Sequence, residues 1–592
     1  PKSHGYRAVG NAYIDIKLFK DLQFKATGYA DIGVSTDRNI SPRYFVGKTM
    51  ESAIQKNAQN SMSRGTAEYR KFQADFLFSY KKTIREKHRV DATVGYTAYL
   101  NESEGFNASA DSIAGSNVLM VPGDMWMLSQ GNAQTKKNGD WFNSESFISY
   151  LGRIMYSYDN KYLLTATFRV DGSSKFSPRH RWGYFPSVGA GWVLSEESFL
   201  QNTSQVDFLK LRASWGRLGN DKIGNYMWLE TINPTGQQVI IDGKIYYIPT
   251  RSSEVDENLH WEVMEGYDVG IEGKFFKNRL SVDLGYYTKK TSDLLAYVAP
   301  SVSIGAGYAI TNAGAIRNSG FEFILSWQDQ VGDFSYGVSV NGSTLKNRVL
   351  ELGNNNSDII TGDKHRTSVG HPVGSFYGYV QNGIFQNQAE IDAYTEKYNV
   401  AWQIRPGDIR YTDLDRNNRI DDKDRKFIGS PLPTFMYGIN LNFGWKGLDL
   451  SVDFNGVSGN KILNAKYLPG FTQFNFYQAQ TKRWHGEGTS NKMPILDNTR
   501  EVNRLISTNM IEDGSYCRIR NIQIGYTFPK QLTSWMHISK LRVYINAQNP
   551  LTIRSNTGFT PEIGGGILDG GVDYGTTYPL PSTYTAGISL NF

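Results

Sequence analysis

The sequence predicts an all-β protein whose strands form a transmembrane antiparallel β-barrel, and three observations carry that prediction. Strand-length stretches alternate between apolar and polar side chains. The breaks between them alternate between a few residues and several dozen. No apolar run reaches the ~18 residues that a membrane helix needs. The mean hydropathy of -0.44 suits a barrel, because the lumen-facing half of every strand is polar and dilutes the average.

At the amino end Ala12, Ile14, Ile16 and Leu18 share one face, while Asn11, Tyr13, Asp15 and Lys17 share the other. Lys20 and Asp21 break this first strand, residues 22–33 read as the second, and a long polar segment follows until strands resume near Glu68. The same alternation places Leu280, Val282, Leu284 and Tyr286 on one face, then Leu448, Leu450, Val452 and Phe454, then Ile522, Ile524, Tyr526 and Phe528. The final stretch is the clearest. Tyr584, Ala586, Ile588, Leu590 and Phe592 oppose Thr585, Gly587, Ser589 and Asn591. About ten residues at ~3.3 Å each, tilted near 45°, cross a hydrocarbon layer, so Tyr584, Ile588, Leu590 and Phe592 read as the apolar side of the strand that closes the barrel. A half-buried sandwich strand has the same period.

Tight breaks fall at 159–161, 277–279 and 446–447, and long ones at about 36–66, 107–140, 220–256, 353–433 and 463–514. Short turns on one rim and long extracellular loops on the other are the barrel pattern. About sixteen or seventeen strands result, with no linker, so residues 1–592 read as one partial barrel. Phe19, Trp215, Phe276 and Trp445 are placed at strand ends, where aromatic girdles meet the membrane interface.

The net charge of +6 is scattered over 63 basic and 57 acidic residues, which excludes a nucleic-acid stripe. One cysteine, Cys517, precludes an internal disulfide. The chain opens at Pro1 with no signal peptide, which reads as a mature fragment. H-E-x-x-H, G-x-S-x-G, P-loop and paired C-x-x-C motifs are missing, and the chain is read as non-enzymatic. His365 and His371 are the only near pair of histidines and read as structural.

One local pattern carries chemistry. Asp413, Asp415, Asn417, Arg419, Asp421 and Asp424 occupy positions 1, 3, 5, 7, 9 and 12 of a twelve-residue loop. Hard cations take about six to eight oxygens, so these side chains, with the backbone carbonyl of Arg419, suit a structural Ca2+ or Mg2+. Asn418 stands where an EF-hand has Gly, and Asp424 where it has the longer Glu. An acidic loop held by ion pairs to Arg416, Arg419 and Arg425 is the other reading. Ligand candidates are the loop aromatics Trp126, Trp141, Tyr377, Tyr379, Trp402 and Trp484, whose flat rings suit sugar faces. Packing within the loops accounts for such rings equally well.

From Arg169 the sequence reads RVDGSSKFSPRHRWGYFPSVGAGWVLSEESF, and GSFYGYVQNGIFQN follows from Gly374, GDIRYTDLDRNNRIDDKDRKFIGSPLPTFMYGINL from Gly407, and PSTYTAGISLNF closes the chain. These segments resemble the SusC/RagA-like family of TonB-dependent outer-membrane transporters, over nearly the whole chain and in family order. The resemblance implies a barrel of 22 strands and, ahead of Pro1, a plug-bearing amino-terminal part in the same gene product or a second chain. It also implies location in the outer membrane of a Gram-negative bacterium among outer-membrane lipid, a SusD-like lipoprotein over the extracellular loops, and energy from TonB–ExbB–ExbD. Import of oligosaccharides, or of oligopeptides, is the expected function. A glycan hydrolase needs only two carboxylates, so a secreted β-rich hydrolase is the alternative, with a non-transporting adhesin or secretion-assembly barrel beside it.

Overall fold

The computed structural model describes residues 2–47, 55–113, 126–201, 203–251, 255–298, 309–353, 356–467, 478–497, 499–533, 535 and 537–592. The chain divides into two compact units, one of Pro1–Ala190, Gly216–Val263 and Leu295–Asn312, the other of Gly191–Trp215, Met264–Leu294 and Ala313–Phe592.

The first unit is built on a meander of β1 (Lys2–Phe19), β2 (Leu22–Ser41), β3 (Ser61–Ile84), β4 (His88–Asp111), β5 (Lys137–Tyr158) and β6 (Tyr162–Ser173), each antiparallel to the next. Side chains at even positions of β3 and β4 share a face. Phe72, Ala74, Phe76 and Phe78 stand beside Leu100, Ala98, Tyr96 and Val94, and these beside Ile148, Tyr150 and Gly152 of β5. Phe76, Phe78 and Val94 are 42%, 46% and 62% exposed to water, as expected of a band whose solvent is hydrocarbon. The opposite face is polar. Arg7 clamps Asp31 through two bonds of 2.9 Å, Tyr69 donates to the same carboxylate at 3.2 Å, and Asn101 donates to Glu145 at 2.9 Å.

The predicted 36–66 and 107–140 loops need correction where they are described. β2 continues through Ser41, β3 begins at Ser61, β4 extends to Asp111 and β5 begins at Lys137. Polar composition misled the boundary: a strand with water on both faces needs no apolar alternation, because its ladder hydrogen bonds satisfy the backbone. The 24 residues of β3 span about 80 Å, far more than a ~30 Å hydrocarbon layer requires at any ordinary tilt. Residues 48–54 and 114–125 of those loops lie outside the described residues.

The second unit carries β7 (Leu280–Ser292), β8 (Ala315–Val331), β9 (Phe334–Thr344), β10 (Phe435–Trp445), β11 (Leu448–Ser458), β12 (Tyr516–Thr527), β13 (Lys540–Arg554) and β14 (Thr583–Asn591), again antiparallel neighbours. The predicted apolar face of β7 aligns residue for residue with β8, Leu280 to Trp327 through Tyr286 to Phe321. Leu448, Leu450 and Val452 face Tyr526, Ile524 and Ile522. A register shift between Ile519 and Asn521 admits one extra residue in β13, which takes three steps from Leu551 to Gln548 against two in β12. β14 pairs with β13, setting Ile588 opposite Val543 and Leu590 opposite Leu541. Tyr584, Ile588, Leu590 and Phe592 are all exposed.

The tight turns have primed-turn geometry. Asp159 and Asn160 take φ of +52° and +56°, and Lys446 and Gly447 take +46° and +89°, matching the right-handed twist of the strands they join. Phe19, Phe276 and Trp445 sit exposed at such turns. Trp215 does not: it lies within Val206–Asn220, and its indole N–H donates to Glu265 at 2.9 Å.

Candidate functional site

The longest predicted loops, 353–433 and 463–514, fold in their described parts into a compact body of the second unit with two cores. Its centre is the strand Ser375–Tyr379, paired with Arg425–Gly429 on one edge and with His365–Thr367 on the other. Phe376 packs with Leu463, Ile506, Met510 and Val572. Tyr379, on the other side, packs with Ile384, Ile409, Tyr411, Ile420 and Val502. The helix α1 (Gln388–Lys397) starts where the Asn387 side chain accepts from the Glu390 amide at 3.1 Å, and it contributes Tyr394 to the second core.

Polar groups inside this body are partnered, as buried ones must be. The fully buried Asp408 accepts from Asn503 at 2.9 Å, Arg500 at 3.1 Å and the Arg405 amide at 2.8 Å. Tyr411 donates to the Val502 carbonyl at 2.7 Å, and Tyr394 to the Tyr411 carbonyl at 2.6 Å. Burial pushes both phenols up, and it does the same to Tyr379, which also donates to Asp422 at 2.9 Å. On the rim, hydrogen bonds from Thr499 and Arg500 hold the Asp497 carboxyl down at about 2.

The 413–424 loop sits on the second core. Asp413, Asp415 and Asp424 each bring a carboxylate oxygen to within 4.8 Å of the others. Local hydrogen bonds fix this convergence: Asp413 accepts from the amides of Arg416 at 2.7 Å and Asn418 at 3.0 Å, and the buried Asp424 from those of Leu414 at 2.7 Å and Asp421 at 2.9 Å. Asn418 takes φ of +58°, the left-handed turn that its position in the pattern requires. Of the three arginines expected to pair, Arg419 reaches Asp421 at 3.2 Å and Arg425 reaches Asp422 at 3.9 Å. Among the described residues no ion pair neutralises Asp413, Asp415 or Asp424. The Asn417 side-chain carbonyl accepts from the Arg419 amide at 2.7 Å, and its side-chain amide donates to Asp415 at 2.9 Å. The donor set, three carboxylates with spare oxygen lone pairs and no competing cation, fits a hard divalent ion.

The predicted ligand-binding aromatics do not form one site. Tyr379 and Trp402 meet edge to face at 5.6 Å in the second core. Trp484 packs against the same core and donates to Gln386 at 3.2 Å. Tyr377 is half-buried, with the guanidinium of Arg366 4.4 Å and that of Arg425 5.1 Å from its ring centre. In the first unit Trp126 is buried with Met62, Ala110 and Ile113. Trp141 lies half-exposed across Gly105, beside Phe106, Phe142, Glu68 and Glu104 in a recess of about 570 Å³. His365 and His371 serve separate contacts: His365 donates to the Gly570 carbonyl at 3.0 Å, and His371 stacks on Phe427 at 3.8 Å. The Asp408–Arg500–Asn503 network escaped sequence reading, since Asp408 lies more than ninety positions from both its partners and no local spacing signals them.

Comparison with known proteins bears on the whole arrangement. The chain is 29% identical over its full length to "TonB-dependent receptor P3" of Formosa agariphila, of which it covers 58%. It is 28% identical over 79% of its length to "TonB-dependent receptor SusC" of Bacteroides thetaiotaomicron, of which it covers 46%. It therefore spans about half the length of these relatives. The solved RagAB peptide transporter shares its fold, with a TM-score of 0.82 at 23% identity over all of this chain and 62% of that one. The model of the family described as "TonB dependent receptor-like, beta-barrel" matches residues 5–549. The chain belongs to that family of outer-membrane β-barrels.

Proposed function

We propose that this chain supplies barrel wall and folded extracellular loops to a TonB-dependent importer that takes oligosaccharides across the outer membrane. In this reading a SusD-like lipoprotein lids the loops and TonB–ExbB–ExbD delivers the energy. The observation that carries it is the two-faced wall of the first unit, one face of half-exposed apolar side chains and the other of hydrogen-bonded polar ones; the second unit by itself carries a loop body with its own cores. Transport rather than chemistry follows, because the family consists of transporters. Ca2+ or Mg2+ held by Asp413, Asp415 and Asp424 would brace the loop body and take no part in a reaction.

Fluorescent oligosaccharide uptake by cells producing the full-length protein tests this. Uptake lost on deleting tonB or collapsing the proton gradient is the expected result. Uptake indifferent to both overturns it. The fold shared with a protein described as a peptide transporter favours oligopeptides as the second reading, and labelled peptides in the same assay separate the two.

A further inference from the structure

Above its apolar band the first unit carries a row of like charges. The register sets Lys2 directly opposite Arg38, and Arg38 directly opposite Arg64. All three occupy even positions, so they share the face of Ile14, Ile32 and Phe72 rather than that of the Arg7–Asp31 clamp. Like charges set opposite one another in a sheet are destabilising. The carboxylates of Glu68 and Glu104 on this face are engaged by Arg70, at 3.9 and 3.0 Å, and among the described residues Arg64 makes no ion pair. Arg38 donates to the Trp126 carbonyl, which fixes its place in the row. Tight turns at 20–21 and 85–87 join β1 to β2 and β3 to β4, and the long 42–60 connection leaves from the other end, so the row lies at the extracellular end of these strands.

Further down the same face is an apolar recess of about 860 Å³, with Gly10, Gly28, Ala30 and Ala74 in its lining beside Phe72 and Leu100. A Cβ added at Gly10 or Gly28 would meet nothing within 4 Å, so the face is open there. Gly10 and Ala30 stand opposite each other eight positions below Lys2 and Arg38, about 26 Å along the strands.

We propose that the cation row and the recess together hold one phosphorylated glycolipid of the outer leaflet, with its phosphate on Lys2, Arg38 and Arg64 and an acyl chain in the recess. Charge complementarity selects an anion, and guanidinium groups match phosphate oxygens in geometry. The recess selects an anion that carries a hydrocarbon chain. Height selects the headgroup. Lys2 and Arg38 stand four positions beyond Tyr6 and Val34, the last apolar residues of the face, about 13 Å along the strand or ~9 Å in height at a 45° tilt. An ordinary lipid headgroup zone ends about 5–8 Å past the hydrocarbon, whereas a sugar-phosphate headgroup extends further out. A second copy of this chain docked through the same face about a two-fold axis would bring the cation row against itself.

The test uses the full-length protein, purified from its own outer membrane in mild detergent, with heat-modifiable mobility confirming a folded barrel. Lipids that stay bound are identified and counted by native mass spectrometry. Wild type should retain one phosphorylated glycolipid per barrel, and Lys2→Gln, Arg38→Gln, Arg64→Gln should lower its occupancy at least fivefold. Gly10→Leu with Gly28→Leu, which fills the recess from its floor, should lower it as well. Equal occupancy in wild type and variants overturns the site. A phospholipid or inorganic phosphate bound in place of the glycolipid, no bound lipid at all, or a second copy of the chain covering the face overturns the proposed occupant. If the triple variant fails to fold, Arg64→Glu alone, at an exposed side chain, serves in its place: reduced occupancy supports the proposal and unchanged occupancy overturns it.

Discussion

The wall strands and the loop body of the second unit are made of the same chain and solve opposite problems. Along the wall the large apolar side chains face out and half-exposed, Phe78, Val94 and Tyr150 among them, and the order comes from uninterrupted ladders such as Ser61↔Asp111 through Ile84↔His88. In the loop body Phe376, Ile409, Leu463 and Met510 are almost wholly buried, as in a soluble domain. The difference teaches where stability resides: the wall depends on backbone pairing and lipid, the loops on packing.

The comparison breaks most visibly at Phe376. Phe376→Ala should cost the loop body about 3–5 kcal/mol, read as faster hydrogen exchange across 353–433, while the heat-modifiable mobility of the barrel stays unchanged. Joint loss of both would show that wall and loops fold as one. Val94→Arg, in the middle of the apolar band, should do the reverse at about 2–4 kcal/mol, lowering outer-membrane assembly. Normal assembly of that variant would mean the band does not meet lipid.

Smaller effects sharpen the loop side. A cation at 100 times its dissociation constant adds about 2.7 kcal/mol, so chelation should speed proteolysis of the 408–430 segment, and Asp413→Asn with Asp415→Asn should abolish the difference. Identical cleavage with and without chelator would leave the loop to its hydrogen bonds alone. The smallest effect is expected at His365, whose ring is driven below its ordinary value of 6.5 by burial, against the hydrogen bond to Gly570. Its neutral form is favoured in the folded state. The associated stability is therefore complete above about pH 6.5 and lost as pH falls through the folded value, at no more than ~1.4 kcal/mol per pH unit. Exchange rates at residues 365–367 and 568–571 between pH 7.5 and 5 measure it, and His365→Gln should flatten the profile.

The wall was legible from the sequence because its signal is local. A period of two over ten residues names the apolar face, as it did for Leu280 to Tyr286 and for the terminal strand. The convergence of Asp413, Asp415 and Asp424 was legible for the same reason, being set by spacing within one loop. Where water lies on both faces the periodicity vanishes, and the upper ends of β2 to β5 went unread. The loop aromatics were not separable at all: Trp402 becomes core through Tyr379 and Tyr411, while Trp141 stays half-exposed, and nothing beside either residue distinguishes them.

By itself, then, the sequence determined the all-β class, the alternating wall, the two kinds of connection and the carboxylate loop. Only the tertiary structure decided that the long loops own cores, that Asp408 is held by Arg500 and Asn503, and that Ile240, Ile245 and Tyr247 of the 232–251 hairpin stand exposed. The physical reason is range. Strand alternation and chelating spacing are written between near neighbours, whereas burial depends on which distant segments pack together, and one sequence read alone contains no distance between them.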